Sequence, residues 1–278
     1  MKRHVRLLLI FSLVFVIIYK FSLWYASGLS GVTSFVFTFD QYLPFLPWTI
    51  IPYLSSGIFF CGIFWLFTTR RELNIFFKRV MLMTLVAGLA FVFLPLQYSF
   101  PKPPAENPLF SFLFGLLDSV DDPYNQSPSL HVAFAFAYWT VFRGFALRWR
   151  LVAGLWLILI GISTLTTFQH HLIDIFTGSI LAHFSFLVFP IQPRGQTFRN
   201  LHVANFYFLG AWLTVLFSLL LADYYALYWL HLCWLAGAMF VVGYLYQRNI
   251  FEAEKEKLPE LFSLRRSFSF LENQPWKR

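Results

Sequence analysis

Cysteine is almost missing from this chain: Cys61 and Cys233 are the only two in 278 residues. Each sits inside an apolar run, far from the other, which excludes a disulfide framework and a metal–thiolate cluster. Charge is scarce as well, at 12% Asp, Glu, Lys and Arg, where a soluble domain carries about 25%. Acidic residues are the rarer sign, 13 against 21 Lys and Arg, giving a formal net charge of +8. The cations are scattered in small groups between apolar runs, so they read as topological anchors and not as a patch for nucleic acid. No nucleic-acid partner is expected.

What fills the chain instead is apolar: 58% hydrophobic and 22% aromatic residues, with a mean hydropathy of +0.63. Crossing a bilayer as a helix takes about 20 such residues. The sequence offers eight candidate spans, at residues 7–26, 48–68, 80–97, 129–147, 151–167, 172–189, 203–221 and 226–246. The runs are continuous and do not alternate, which excludes a membrane barrel and leaves helices, because backbone groups in lipid must be satisfied within the segment. The expected fold is all-α, a polytopic helical membrane protein. The N-terminal "MKRHVRLLLIFSLVFVIIYK" has a basic head like a signal peptide. Its long apolar body and lack of an obvious small-residue cleavage site make it an uncleaved first span.

Basic residues fall in alternate connections: "MKRHVR", "TTRRELNIFFKR", "FRGFALRWR", "PRGQTFRN" and "QRNIFEAEKEK". The intervening connections contain a single cation, Lys102. By the positive-inside rule both termini are expected in the cytoplasm. The connections at 27–47, 98–128, 168–171 and 222–225 would then face the periplasm or a lumen. The longest, "YSFPKPPAENPLFSFLFGLLDSVDDPYNQSP", carries an apolar patch at 110–117 that suits a short interfacial helix between proline-rich segments. The aromatic loop "FVFTFDQYLPFLPWTIIPY" reads as an interfacial belt, and the tail beyond Glu252 as a weakly amphipathic cytoplasmic surface segment.

Three polar elements converge on the non-cytoplasmic side: Lys102 in "KPP", the "SPSLH" that opens the fourth span, and "TTFQHHLID" between the fifth and sixth. A helix beginning near Gln169 would set His170 and Asp174 four residues apart on one face. A carboxylate there fixes one imidazole tautomer and leaves the other ring nitrogen free to attack or to carry a proton. His171 would point about a quarter turn away. Ser127, Pro128 and Ser129 before His131 make a helix start with unpaired N–H groups, a seat for phosphate. Individually these are ordinary caps, packing histidines and an interfacial lysine. Together they form a candidate site. A zinc site on His131, His170 and Asp174 is an alternative, without a cysteine or acidic cluster to reinforce it.

The run Pro128–Ser129–Leu130–His131, followed by "HHLID" and Gly178, resembles the type-2 phosphatidic acid phosphatase superfamily, most closely its inositol phosphorylceramide synthase-like branch. That superfamily carries the motifs KxxxxxxRP, PSGH and SRxxxxxHxxxD. Pro128, Ser129 and His131 match the second, with Leu130 in place of glycine. Ser163, His170 and Asp174 match the third, with Thr164 in place of arginine. Lys102–Pro103 stands for Arg-Pro in the first, where Pro95 replaces the lysine.

The resemblance covers roughly residues 80–189. It implies a six-helix catalytic bundle, so that two of the eight spans would be accessory, with the catalytic core at 80–189, N-terminal spans at 1–79, C-terminal spans at 190–248 and a cytoplasmic tail at 249–278. It implies a lipid phosphatase or phosphotransferase acting on a membrane lipid phosphate or diphosphate, with no metal and no cofactor. His170 would attack phosphorus, Asp174 would orient it and His131 would protonate the leaving group. Lys102 and Ser129 would hold the phosphoryl oxygens, with Gln97 and Thr167 offering neutral donors where motif cations are missing. The competing class is a non-catalytic membrane protein or transporter whose polar residues serve as a relay or as glue between helices.

Overall fold

The computed structural model describes residues 3–67, 69–190 and 198–248. Among them lie nine α-helices: α1 (Arg3–Ser27), α2 (Ile50–Gly62), α3 (Arg70–Phe93), α4 (Pro108–Asp118), α5 (Leu130–Phe142), α6 (Leu147–Thr166), α7 (Leu172–Val188), α8 (Phe198–Tyr224) and α9 (Leu232–Gln247). No strand occurs among the described residues, and Thr33 and Leu96 form an isolated bridge. Six segments are long and apolar enough to cross a membrane: α1, Pro47–Trp65 around α2, α3, α6, Asn200–Tyr224 in α8, and Leu227–Gln247 around α9. They mark the chain as a multi-pass helical membrane protein.

All eight apolar runs fold as helix, and the short α4 covers the expected interfacial patch, with Asn107 as its cap and Pro108 in its first turn. Two runs give helices too short to be counted among those six. Residues 129–147 yield only the 13-residue α5, and residues 172–189 the 17-residue α7. α5 stops because Arg143 and Gly144 turn the chain into α6, which starts at Leu147 and not at residue 151. The third helix begins at Arg70, well before residue 80, where Thr69 caps the N–H of Glu72. Arg79, read as a boundary, lies inside it and is 2% exposed. The tail reading at 249–278 lies outside the described residues.

α5 and α7 occupy the centre. α5 packs on α3, α6 and α7, while α7 packs on α3, α5 and α8. α1 lies along α3, α2 along α6, and α9 chiefly against α8. Short α5 is therefore covered by protein, and the long outer helices present apolar side chains outward: Leu13 and Ile17 of α1, Leu155 and Ile158 of α6, Trp234 of α9. The interior is aromatic. Phe11 stacks on Phe60 at 4.6 Å and meets Phe134 edge-on at 5.8 Å, and Phe64 meets Phe76 edge-on at 5.5 Å. Such pairs add about 0.5–1.5 kcal/mol beyond area burial.

Cross-links identify the two ends. Arg3 donates to Asn74 Oδ1 at 2.8 Å, and Arg79 Nε donates to Phe189 O at 2.8 Å, joining the starts of α1 and α3 and the end of α7. At the opposite end Leu46 N–H donates to Thr166 O at 2.8 Å, and Thr38 N–H to Asp223 at 2.8 Å. That second end carries the candidate site.

Candidate active site

α6 ends at Thr166, and the chain reverses through Phe168, whose φ of +57° lies in the left-handed region. A bulky residue there costs about 1–2 kcal/mol. Packing of its ring against Phe45 at 5.2 Å and Tyr98 at 5.9 Å offsets that strain. The turn lets both Gln169 N–H (3.1 Å) and His170 N–H (3.0 Å) donate to Thr164 O. His170 therefore precedes α7. The helix starts at Leu172 with His171 as N-cap, and not near Gln169 as the sequence reading had it, because the His170 N–H turns back to α6.

The His170–Asp174 pair forms all the same. Asp174, in the first turn of α7, reaches back so that its Oδ2 accepts from His170 Nδ1 at 3.2 Å and from His171 N–H at 2.9 Å. Asp174 is 0% exposed, and its Oδ1 has no hydrogen-bond partner. With the Nδ1 proton facing the carboxylate, His170 Nε2 carries the free lone pair.

His131 sits in the first turn of α5, stacked on Tyr53 of α2 at 4.3 Å. Its ring centroid is 6.0 Å from that of His170, with the ring planes at 67°. Both histidines line a cavity of about 360 Å³ whose walls include Phe15, Tyr19, Phe60 and Phe134. Residues of α1, α2 and α5 make most of this wall, so the polar end opens onto an apolar chamber.

Backbone contacts dock the two histidine-bearing segments. Ser129 N–H donates to Asp174 O at 3.1 Å. Gly178 permits the approach, since a Cβ there would stand 2.5 Å from Ser129 O. Ser127 and Thr177 exchange a hydroxyl hydrogen bond at 2.8 Å. The Ser129 hydroxyl is buried without a partner.

The remaining sequence candidates are spread around this core. Thr167 is buried, with its hydroxyl donating to Ser163 O at 2.6 Å. Gln97 is held by its backbone, its N–H donating to Thr33 O at 3.0 Å. Lys102 Nζ pairs with Asp118 at 2.9 Å and lies 5.2 Å from the Phe114 ring centroid, both in α4. No hydrogen bond or ion pair joins Lys102 to His131, His170 or Asp174. Among the described residues no group of three His, Cys, Asp or Glu comes together as a metal site.

Two carboxylates, Asp40 and Asp121, escaped the sequence reading, and His171, which was set aside there, also packs beside the site. Asp40, buried in the first outer loop, accepts from Leu172 N–H and Phe37 N–H, each at 2.8 Å, so a distant carboxylate caps α7. Burial raises its pKa, partly offset by those two hydrogen bonds. Asp121 accepts from Tyr19 Oη at 2.8 Å. Burial raises its pKa too, against the Tyr19 bond and the attraction of His170. His171 is stacked on Tyr98 at 4.3 Å, and its Nε2 lies 3.2 Å from the Ser99 hydroxyl. Burial pushes His171 down to about 4, with Asp174 pulling the other way and His170 adding to the fall. The one signal for Asp40 was a lone acid among the aromatics of "FVFTFDQY".

The arrangement defines a class: a multi-pass helical membrane protein with a buried His–Asp pair facing a second histidine at the mouth of an apolar chamber. Comparison with protein-family models, with curated proteins and with solved structures finds no match.

Proposed function

We propose that this protein is a lipid phosphatase or phosphotransferase of the type-2 phosphatidic acid phosphatase kind, working through a phosphohistidine. One observation carries the reading: a tautomer-fixed His170, with its Nε2 free, faces His131 across 6.0 Å at the polar end of an apolar cavity of about 360 Å³. A lipid phosphate fits such a place with its headgroup between the rings and its chains along the aromatic wall. His170 Nε2 attacks phosphorus, a P–N bond forms and the P–O bond to the leaving alcohol or phosphate breaks. His131 delivers a proton to the departing oxygen. Water or a second alcohol then attacks phosphorus, loses its proton to His131 and releases His170. Asp174 stabilises the positive charge that His170 develops.

A specific observation favours a second reading, a non-catalytic relative. Lys102, the candidate motif cation, is engaged by Asp118, and no Lys or Arg lines the histidine cavity among the described residues. Phosphate release or headgroup transfer from lipid phosphates by purified protein, compared with His170→Ala, separates the two. Equal turnover by both proteins, or none by a well-folded wild type across mono- and diphosphate lipids, removes the enzyme reading.

A further inference from the structure

A second cavity, of about 240 Å³, lies at the other end of α5 and α7. From His131 to Arg143 is about 18 Å of helix, so it is separate from the histidine chamber. Its chemistry is cationic. Arg79 of α3 and Arg143, the C-cap of α5, both line it, with Thr140, His183 and Trp212. None of the described residues lining it is Asp or Glu.

The two guanidiniums are only partly accounted for. Arg79 is 2% exposed; its Nε donates to Phe189 O at 2.8 Å, and its guanidinium carbon lies 4.5 Å from the Phe186 ring centroid. Its Nη1 is buried with no partner, and the buried Trp212 Nε1 has none either. No ion pair involves Arg79 or Arg143 among the described residues, and the two positive charges repel one another. Capping the C-terminus of α7 uses Nε of Arg79 and leaves Nη1 without a partner. An unpaired charge in a low-dielectric interior is costly, and arginine does not shed its proton to escape. The space is many times the roughly 10–15 Å³ that one water needs.

We propose that this cavity binds a phosphate-bearing anion, held by the guanidiniums of Arg79 and Arg143 and the indole N–H of Trp212. Planar forks of this kind recognise phosphate oxygens in pairs. The inference stands independently of the catalytic reading. Either a lipid headgroup or free phosphate supplies the same chemistry, and the test distinguishes them.

The full-length protein is reconstituted into nanodiscs of phosphatidylcholine, with or without phosphatidic acid, and thermal unfolding is followed. Inorganic phosphate is titrated separately in neutral detergent. A ligand that binds only the folded state raises Tm with concentration. Wild type is expected to show this rise, and His170→Ala, which disables the histidine chamber, is expected to keep a rise. Arg143→Gln and Arg79→Gln are expected to weaken the apparent affinity by about ten- to a hundredfold, as loss of a charged hydrogen bond does. If Arg79→Gln does not fold, Arg143→Gln at the cavity rim carries the comparison. A response to phosphatidic acid but not to phosphate makes the ligand a lipid headgroup, and a response to both makes phosphate itself sufficient. No response to either, or one lost in His170→Ala and kept in Arg143→Gln, overturns the proposal.

Discussion

Gly178 and Ser129 meet so closely that a methyl group on Gly178 would stand 2.5 Å from the Ser129 carbonyl oxygen and 3.2 Å from Val132 Cβ. Backbone does not yield as a flexible side chain does. Gly178→Ala is expected to push the start of α5 away from α7, destabilising the fold by about 1–3 kcal/mol. Gly161→Ala in α6, where nothing lies within 4 Å, is the neutral control. Thermal unfolding of both variants in one detergent checks the contrast, and equal behaviour would show that α5 and α7 have slack.

His170 has the only imidazole held by the Asp174 side chain, since His171 gives that carboxylate its backbone N–H. His170→Ala is expected to abolish phosphoenzyme labelling. Asp174→Asn is expected to fold and to lower turnover by about 10²–10⁴, because the imidazole loses its tautomer lock and the balance for its charge. Rapid-quench labelling with a phosphorus-labelled lipid measures both, and full labelling of the alanine variant would reassign the nucleophile.

His131 faces the leaving group in the proposed reaction. His131→Ala is therefore expected to cost about 10²–10⁴ with a lipid alcohol leaving group, and far less with an activated aryl phosphate that needs little protonation. Equal losses on the two substrates would leave His131 as a packing partner of Tyr53.

Burial holds His171 near 4, below its usual value, so the folded protein keeps it neutral where the unfolded chain takes up a proton. Its contribution is complete above about 6.5 and declines as pH falls toward about 4, by at most about 3 kcal/mol. Asp40 and Asp121 have raised values and therefore work in the opposite sense over the acidic range. His171→Gln is expected to flatten the fall in Tm between pH 6.5 and 4.5. An unchanged slope would mean that His171 does not set it.

The histidine end is expected to be non-cytoplasmic, from the alternation of basic connections. Glu106 is exposed just before α4, at that end of the molecule. With Cys61 and Cys233 replaced, Glu106→Cys is expected to react with an impermeant thiol reagent in intact cells, after the outer membrane is made permeable if the host has one. Labelling only after the cytoplasmic membrane is opened reverses the orientation.

Apolar continuity made the helices legible, and spacing made the His170–Asp174 pair legible, because both are local properties of the chain. Charge misled at Arg79: a cation inside a span reads as its border, yet Phe189 O and the Phe186 ring receive it. Contacts between distant segments leave no such mark. Asp40 reaches Leu172 across 132 positions, and Tyr19 reaches Asp121 across 102. Neither has a local period or motif. The start of α7 was misplaced for a related reason, since the bond that keeps His170 out of the helix runs to the preceding one.

Asp174 contributes its side chain to His170 and its main-chain carbonyl to Ser129. The spacing of the two imidazoles thus rests partly on a peptide-to-peptide link that the side chains at 131, 170 and 174 do not themselves make. Frame and reagent are inherited separately: mutation can exchange the groups at positions 131, 170 and 174 while the scaffold that aims them persists. Such a scaffold is free to lose one chemistry, or acquire another, without first having to fold anew.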